Sequence, residues 1–524
     1  MKSLKITIAS LAIIVAASGC KKEFDQDVQN KNQPVTGLSP ALLLPNIETA
    51  IFESAYNQVE RQNQYTACNY TYYDNNKYWT GSTGLDYSNL NNVVAMETES
   101  NKLNATLSKP YLALAKFFRA YFFVRMTMKV GDVPMTDALK GLDGLTPKYD
   151  SQKQVFINAL ALLEDANKDL GEMNAVNKLT TGTYVVDSKY DFYFRGDLTK
   201  WQKVVNAYRL RVLINLSKKA TDAELNVKAQ FASIINNPTK YPLLSGMDDN
   251  LQYVYDGVFS IYPNSPRNFG NDATRYNMAA TYLNTLASLN DLRAMKVAEP
   301  ARGLGFGDTD FRSFVGGASG QDQSTMTNLV QAGKISLIGR HRYYETLTGE
   351  NTFIVGYPEM CFNIAEAINQ GWVTGDAEAW YKNGIYSDFG FYGVNDGANT
   401  VTFQKSGGLL GDDVSYPVTF SYATYYAQPA VKYAGNTADG LKQILTQKYL
   451  AFARNSGQEA YYQWRRTGIP AFDIGPGNTD GGVIPQRYQY PANERTANAT
   501  NYNAAVQSQF GGKDDIYQAL WIVK

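Results

Sequence analysis

The chain is poor in the residues from which many enzymes build their chemistry. Its 524 residues include one histidine, His341, and three cysteines. One histidine excludes a His-rich zinc centre, and a Ser-His-Asp triad would have to recruit that particular side chain. Flanked by Arg340 and Arg342, it reads as ordinary structure on a strand or loop. Apart from Cys20, near the N-terminus, only Cys68 and Cys361 remain, so disulfides are not the organising principle. Cys361 lies in the amphipathic stretch Pro358 to Glu366 and reads as a small buried hydrophobe, with a Cys68–Cys361 bond as the weaker alternative. No Walker A or HExxH pattern occurs, and no dinucleotide fingerprint stands out. Like charges are not blocked together: 49 basic residues balance 49 acidic ones. That argues against nucleic acid or an anionic membrane surface as the partner. Beyond the N-terminus no apolar run approaches the roughly 20 residues needed to cross a bilayer.

The N-terminus itself is informative. Met1 to Lys5 carries positive charge, Ile6 to Ala17 is a short apolar run, and Ala17-Ser18-Gly19-Cys20 closes it. These are the parts of a secretory signal peptide. The cysteine after the small pair resembles a bacterial lipoprotein signal, with Ala17 where the usual box has Leu. That resemblance implies removal of residues 1–19 and acylation of Cys20; an ordinary cleaved signal with an incidental cysteine is the alternative. Removing 1–19 takes away Lys2 and Lys5 and no acid, leaving a net charge of −2. Lys21 to Asp27 then places acidic side chains close to Cys20, as in the loose surface-export signal of Bacteroidetes lipoproteins. Residues 20–38, polar and Asn/Gln-rich with Pro34 and Gly37, read as a flexible tether.

Aromatic residues are abundant, at 38 Tyr, 24 Phe and 6 Trp, and many fall in Asn/Gly-rich segments. Asn69 to Gly81 is the densest; a second cluster holds Tyr253, Tyr255, Phe259, Tyr262, Phe269 and Tyr276. Flat amphipathic rings beside amide groups suit a sugar, whose C–H face stacks while its hydroxyls take hydrogen bonds. One stacked sugar hiding about 100 Å² gains roughly 2–3 kcal/mol before ordering costs, so several platforms are needed. Tyr73, Trp79, Tyr262, Phe269 and Tyr276 are the candidate platforms. Asn75, Asn76, Asn268, Asp272 and Arg275 are the candidate hydrogen-bonding groups. The competing reading is that these rings pack on a helical scaffold and touch no ligand. Asp248-Asp249-Asn250 and Asp412-Asp413 are acidic clusters that would help hold calcium; solvated turns are the plainer reading, and no other cofactor is indicated.

Helical periodicity comes in pairs. Leu107 to Val130 and Ser151 to Leu170, with Ser151 as a cap, form the first. Leu198 to Lys219 with Asp222 to Asn236, Tyr357 to Gln370 with Asp376 to Phe391, and Asp439 to Arg454 with Gln458 to Arg466 follow. Each pair has roughly the 34-residue size of a tetratricopeptide unit. Insertions at about 237–356 and 392–438 are Gly-, Asn- and Tyr-rich. The expected fold is mainly α: a discontinuous TPR-like scaffold of helical pairs (107–170, 198–236, 357–391, 439–466) with a large loop-rich second lobe of short strands, all within residues 39–524.

Phe117 to Phe123 leading to Gly131-Asp132-Val133-Pro134 resembles the first paired helix of the SusD/RagB family. Pro147 to Asp150, Gly196-Asp197 to Trp201, and Asn206 to Arg211 continue the likeness. Asn290-Asp291-Leu292-Arg293 stands where the family has an Asn-Asp-Pro-Arg turn; Glu359 to Ala367, Gly371-Trp372 and Glu459 to Pro470 complete it. The resemblance implies a non-enzymatic lipoprotein on the outer face of the outer membrane. It would bind oligosaccharide and cap a SusC-like TonB-dependent transporter, with the helical repeats as scaffold and the loop lobe as ligand site. Two alternatives stay open: peptide cargo with the same fold and partner, as in RagB-like members, and a surface glycoside hydrolase working through two carboxylates. The family's ligand residues have no portable motif, so the site candidates above rest on position and chemistry alone. The Trp464-Arg465-Arg466-Thr467-Gly468 and Gly371-Trp372 segments read as scaffold packing and helix termination.

Overall fold

The computed structural model describes residues 38–180 and 182–524. The segments read as signal peptide and tether, and the expected acylation site Cys20, lie outside the described residues, save for residue 38. Four helical pairs carry the architecture: α1 (Ala105–Val130) with α2 (Gln152–Leu179), α3 (Leu198–Asn215) with α4 (Val227–Asn236), α5 (Tyr357–Asn369) with α6 (Ala377–Phe391), and α7 (Ala438–Ala451) with α8 (Glu459–Thr467). Side-chain caps start five of them. Asn104, Ser151, Asp197, Asp376 and Thr437 each accept a first-turn backbone N–H, satisfying donors the helix cannot. Gly131 (φ 100°) follows α1 and Gly468 (φ 73°) follows α8; such backbone costs glycine little.

The second pair departs from the periodicity. α3 stops at Asn215, a 3₁₀ turn covers Ser217–Lys219, and α4 starts at Val227. The carboxylate of Asp222 accepts from Glu224 N (3.0 Å) and Leu225 N (3.1 Å). That local bond holds a turn where a helix start was expected. Two further helices, Tyr87–Ser100 and Ala499–Phe510, carry few strong helix formers and take their place by burying Leu90, Val93 and Met96, and Tyr502, Val506 and Phe510.

One hydrophobic core runs through scaffold and insertions alike. In the first three helices Phe117 and Phe118 each pack 5.7 Å from Trp201, centroid to centroid. Buried ion pairs tie the later helices together. Arg211 of α3 pairs with Glu359 of α5, and Arg466 of α8 meets Glu366 of α5 at 2.5 Å. Arg293 in the Asn290–Arg293 turn meets Asp291 at 2.6 Å and also pairs with Asp388 of α6. The Trp464–Gly468 segment is therefore scaffold: Arg465 donates to the carbonyls of Met128 (2.9 Å) and Gln486 (2.8 Å). Cys68 and Cys361 are both buried and free, so the fold carries no bond between them.

Among the described residues there are three two-stranded antiparallel sheets, and every strand but the first lies in the insertions. β1 (Thr66–Cys68) pairs with β3 (Tyr276–Met278), β2 (Leu251–Tyr253) with β4 (Thr352–Val355), and β5 (Gly397–Gln404) with β6 (Asp413–Phe420). His341 lies on a short helix, Arg340–Tyr344, rather than on a strand or loop. Among the described residues no helix is long and apolar enough to cross a membrane.

Candidate functional site

The pairing of β1 with β3 joins the two aromatic segments. Cys68 sits opposite Tyr276, and Asn69 N donates to the carbonyl of Arg275 at 2.9 Å. The loop leaving β1 is pinned at both ends. Asn76 accepts from Cys68 N (2.7 Å) and donates to Cys68 O (2.9 Å). Gln323 donates to the carbonyls of Cys68 (3.0 Å) and Asp74 (2.9 Å), and Arg61 pairs with Asp74. Within the loop Tyr73 N donates to Tyr70 O at 3.0 Å. This tight turn throws successive tyrosines outward.

The result is a fan of three rings on an open surface. Tyr72 is 85% exposed and Tyr70 40%; Tyr73 is half-buried beside them. Ring centroids lie 5.7–6.5 Å apart with interplanar angles of 45–72°. The guanidinium of Arg275 sits 4.5 Å from the Tyr70 centroid and 5.8 Å from that of Tyr73, a cation–π contact that fixes both rings. Asn75 is exposed at the edge, its Oδ1 accepting from Lys77 N at 2.8 Å. Tyr276 is half-buried behind the fan with Arg61 5.9 Å from its centroid, and burial pushes its phenol up to about 12. Burial also raises Asp272, against the opposing effect of the hydrogen bond from Asn268. Rings held by such contacts lose little rotamer freedom when a ligand arrives.

Five of the sequence candidates do other work. Tyr262 is 1% exposed, boxed edge-on by Tyr56 and Tyr255 and stacked on Tyr343 at 6.2 Å. Gly349 (φ 49°) lies against its ring, where a Cβ would come within 2.3 Å. No sugar can reach Tyr262. Asn76 is buried and spends its amide on Cys68. Trp79 stacks on Tyr488 at 3.9 Å and donates its indole N–H to the carbonyl of Arg487 at 2.7 Å, so one face and the polar handle are already used. Asn268 folds its own loop, donating to Pro263 O (2.9 Å) and Asp272 Oδ2 (2.6 Å) and accepting from Ser265 N (2.9 Å). Phe269 is half-buried, edge-on to Tyr344 at 5.6 Å and near Arg340 at 5.7 Å.

Tyr70 and Tyr72 belong with Tyr73, Asn75 and Arg275 but were not singled out from sequence. The signal that finds them is the turn: which tyrosine of Asn69 to Asp74 faces outward depends on the Tyr73–Tyr70 backbone bond, not on composition.

The acidic clusters also resolve. Asp249 is held by Lys203 at 2.7 Å and by the hydroxyl of Ser245 at 2.6 Å, and Asn250 Oδ1 accepts from Tyr357 N at 2.7 Å. Asp412 closes its own turn by accepting from Leu409 N at 2.9 Å, whereas Asp413 enters β6 and faces His341.

Comparison with known proteins places this geometry in context. A family model named SusD-like and described as "Starch-binding associating with outer membrane" matches residues 32–491. A SusD homologue from Bacteroides fragilis is 27% identical with a TM-score of 0.79, covering 93% of this chain and 100% of its own. A protein from Bacteroides vulgatus, described as an outer-membrane protein tied to nutrient binding, is 30% identical with a TM-score of 0.76 over 93% and 100%. A chitin-binding SusD homologue from Flavobacterium johnsoniae, 19% identical with a TM-score of 0.67 over 93% and 98%, shares the fold. The search of curated proteins returns no match.

Proposed function

The chain belongs to the SusD-like family, and on that premise we propose that it is a non-enzymatic surface lipoprotein of the outer membrane. It binds oligosaccharide and hands it to a SusC-like TonB-dependent transporter. The observation that carries the glycan reading is the fan of Tyr70, Tyr72 and Tyr73 braced by Arg275. Consecutive sugars of a twisted chain turn relative to one another, so rings tilted 45–72° suit such a chain better than a flat shelf would. Two stacked sugars at roughly 2–3 kcal/mol each, less ordering costs, correspond to modest affinity. That is the useful range for a protein that must release its cargo to a partner.

The arrangement of acids favours binding over hydrolysis. A glycosidase needs two carboxyls flanking a sugar-sized cleft, one of them with a raised pKa. Burial raises Glu48 to about 10, Glu60 to about 8, and Glu299 and Asp388 to about 6, but all four sit inside the core. The cleft lined by Glu53 and Glu459 measures about 40 Å³, room for a water or so and not a pyranose.

The test is isothermal titration of the purified protein against starch-derived and chitin-derived oligosaccharides and short peptides. Saturable binding to one glycan class without cleavage is expected. Binding to peptides alone would move the cargo to the RagB-like alternative, and product release from a glycan would overturn the non-enzymatic reading.

A further inference from the structure

The only histidine of the chain lies at the one place among the described residues where three metal-ligating side chains converge. His341 and Glu345 stand four residues apart, at helical spacing, on and just after the short helix Arg340–Tyr344. Asp413, the first residue of β6, approaches from across the β5–β6 hairpin. Nδ1 of His341 is 2.8 Å from Glu345 Oε2 and 2.8 Å from Asp413 Oδ2.

This arrangement leaves charge uncompensated. One Nδ1 carries at most one proton, so it cannot donate a separate hydrogen bond to each of two carboxylates. Glu345 Oε1 and Asp413 Oδ1 are both buried without a hydrogen-bond partner, a state that costs free energy unless a cation or proton is supplied. The two arginines beside His341 point elsewhere. The Arg342 guanidinium meets Glu350 at 2.6 Å, and that of Arg340 lies near Phe269. Asp413 is also held in position, because its ladder partner Gln404 donates its N–H to Glu299 (3.2 Å) and gives its carbonyl to Arg302 (2.8 Å).

We propose that His341, Glu345 and Asp413 bind a divalent first-row transition ion, zinc in the first instance, and so clasp the β5–β6 hairpin to the 340–344 helix. One imidazole nitrogen and two carboxylate oxygens match a three-ligand zinc site with an open position. They do not match calcium, which takes six to eight oxygens. Zinc with ligands at about 2.0–2.2 Å needs donor atoms about 3.3–3.6 Å apart, so Nδ1 and the two carboxylate oxygens, 2.8 Å from it, need to separate by about 0.5–0.8 Å. His341 is half-exposed, which leaves the fourth position open to water.

A single histidine makes the test clean. The full chain in detergent, labelled with ¹⁵N-histidine, shows one imidazole. Titration with zinc alone should move its Nδ1 resonance to saturation at one equivalent and raise the melting temperature. Asp413→Asn and Glu345→Gln should each weaken the apparent Kd by about tenfold or more and abolish the thermal gain. Melting curves without zinc confirm that both variants are folded. The proposal is overturned if Nδ1 does not respond, if both variants bind as the parent does (a lone surface imidazole), or if calcium in hundredfold excess displaces the zinc.

Discussion

Two tyrosine-rich regions that look alike in sequence end up doing opposite things. Asn69 to Asp74 leaves a strand through a tight turn and carries Tyr70, Tyr72 and Tyr73 outward. Tyr253 to Tyr262 continues from the last residue of β2 and turns most of its rings inward: Tyr253 stacks on Phe52 at 4.1 Å, and Tyr255 and Tyr262 meet edge-on at 5.0 Å. The difference lies in the backbone partners, not in composition. A loop pinned at its two ends by Asn76 must expose what lies between. A segment threaded between Tyr56, Tyr343 and Gly349 must bury it. Phe259, 95% exposed, is the one exception in the second region, and a single ring is not a platform.

The comparison breaks most visibly at Tyr262. Tyr262→Ala empties a tightly lined cage and should cost about 3–5 kcal/mol, read as a lower urea midpoint, while glycan affinity of the folded fraction stays within twofold. Unchanged stability would show that this ring is not core.

The next effect concerns a buried acid pair in the scaffold. Asp191 accepts N–H bonds from Tyr193, Phe194, Gly196 and Trp201, and Glu48 packs beside it with its carboxyl raised to about 10 by burial and then by Asp191. A folded-state pKa above the unfolded 4.5 means that the native protein holds a proton the unfolded chain has lost. Stability from this group is therefore fully present below about pH 4.5 and declines as pH rises toward about 10. Glu48→Gln, whose amide can donate to Asp191 and whose oxygen can accept from Phe192 N as Glu48 does at 3.0 Å, should flatten that decline. The variant should melt above the parent at pH 9; a parallel pH profile in the two proteins would contradict the assignment.

Smaller effects sharpen the fan itself. Tyr72→Ala removes the most exposed ring and should lose about 2 kcal/mol of glycan binding, near thirtyfold, with no change in melting temperature. Arg275→Lys keeps the charge but loses the planar stack over Tyr70, and should cost about 0.5–1 kcal/mol in affinity. Equal affinity in both variants would remove this surface from consideration.

The scaffold was legible because its signals are local. Apolar spacing in Leu107 to Val130, the caps at Ser151 and Asp376, and the glycines at 131, 371 and 468 all act within a few residues. The family likeness rested on motifs of the same kind. Where a side-chain bond competed with the helix, as at Asp222, the boundary was misplaced. The candidate site was half legible. Tyr73, Asn75 and Arg275 do come together, but only because β1 pairs with β3 across more than 200 residues. Tyr262, Asn76 and Trp79 could not be excluded without knowing that Gly349, Cys68 and Tyr488 lie against them. Likewise, no spacing in the sequence joins His341 to Asp413.

The most direct test of the account is footprinting of tyrosine reactivity with and without the bound oligosaccharide. The fan predicts that Tyr70, Tyr72 and Tyr73 react in the free protein and are protected together by ligand, while Tyr262 stays unreactive throughout. Protection elsewhere, with Tyr72 fully reactive in the saturated complex, would contradict it.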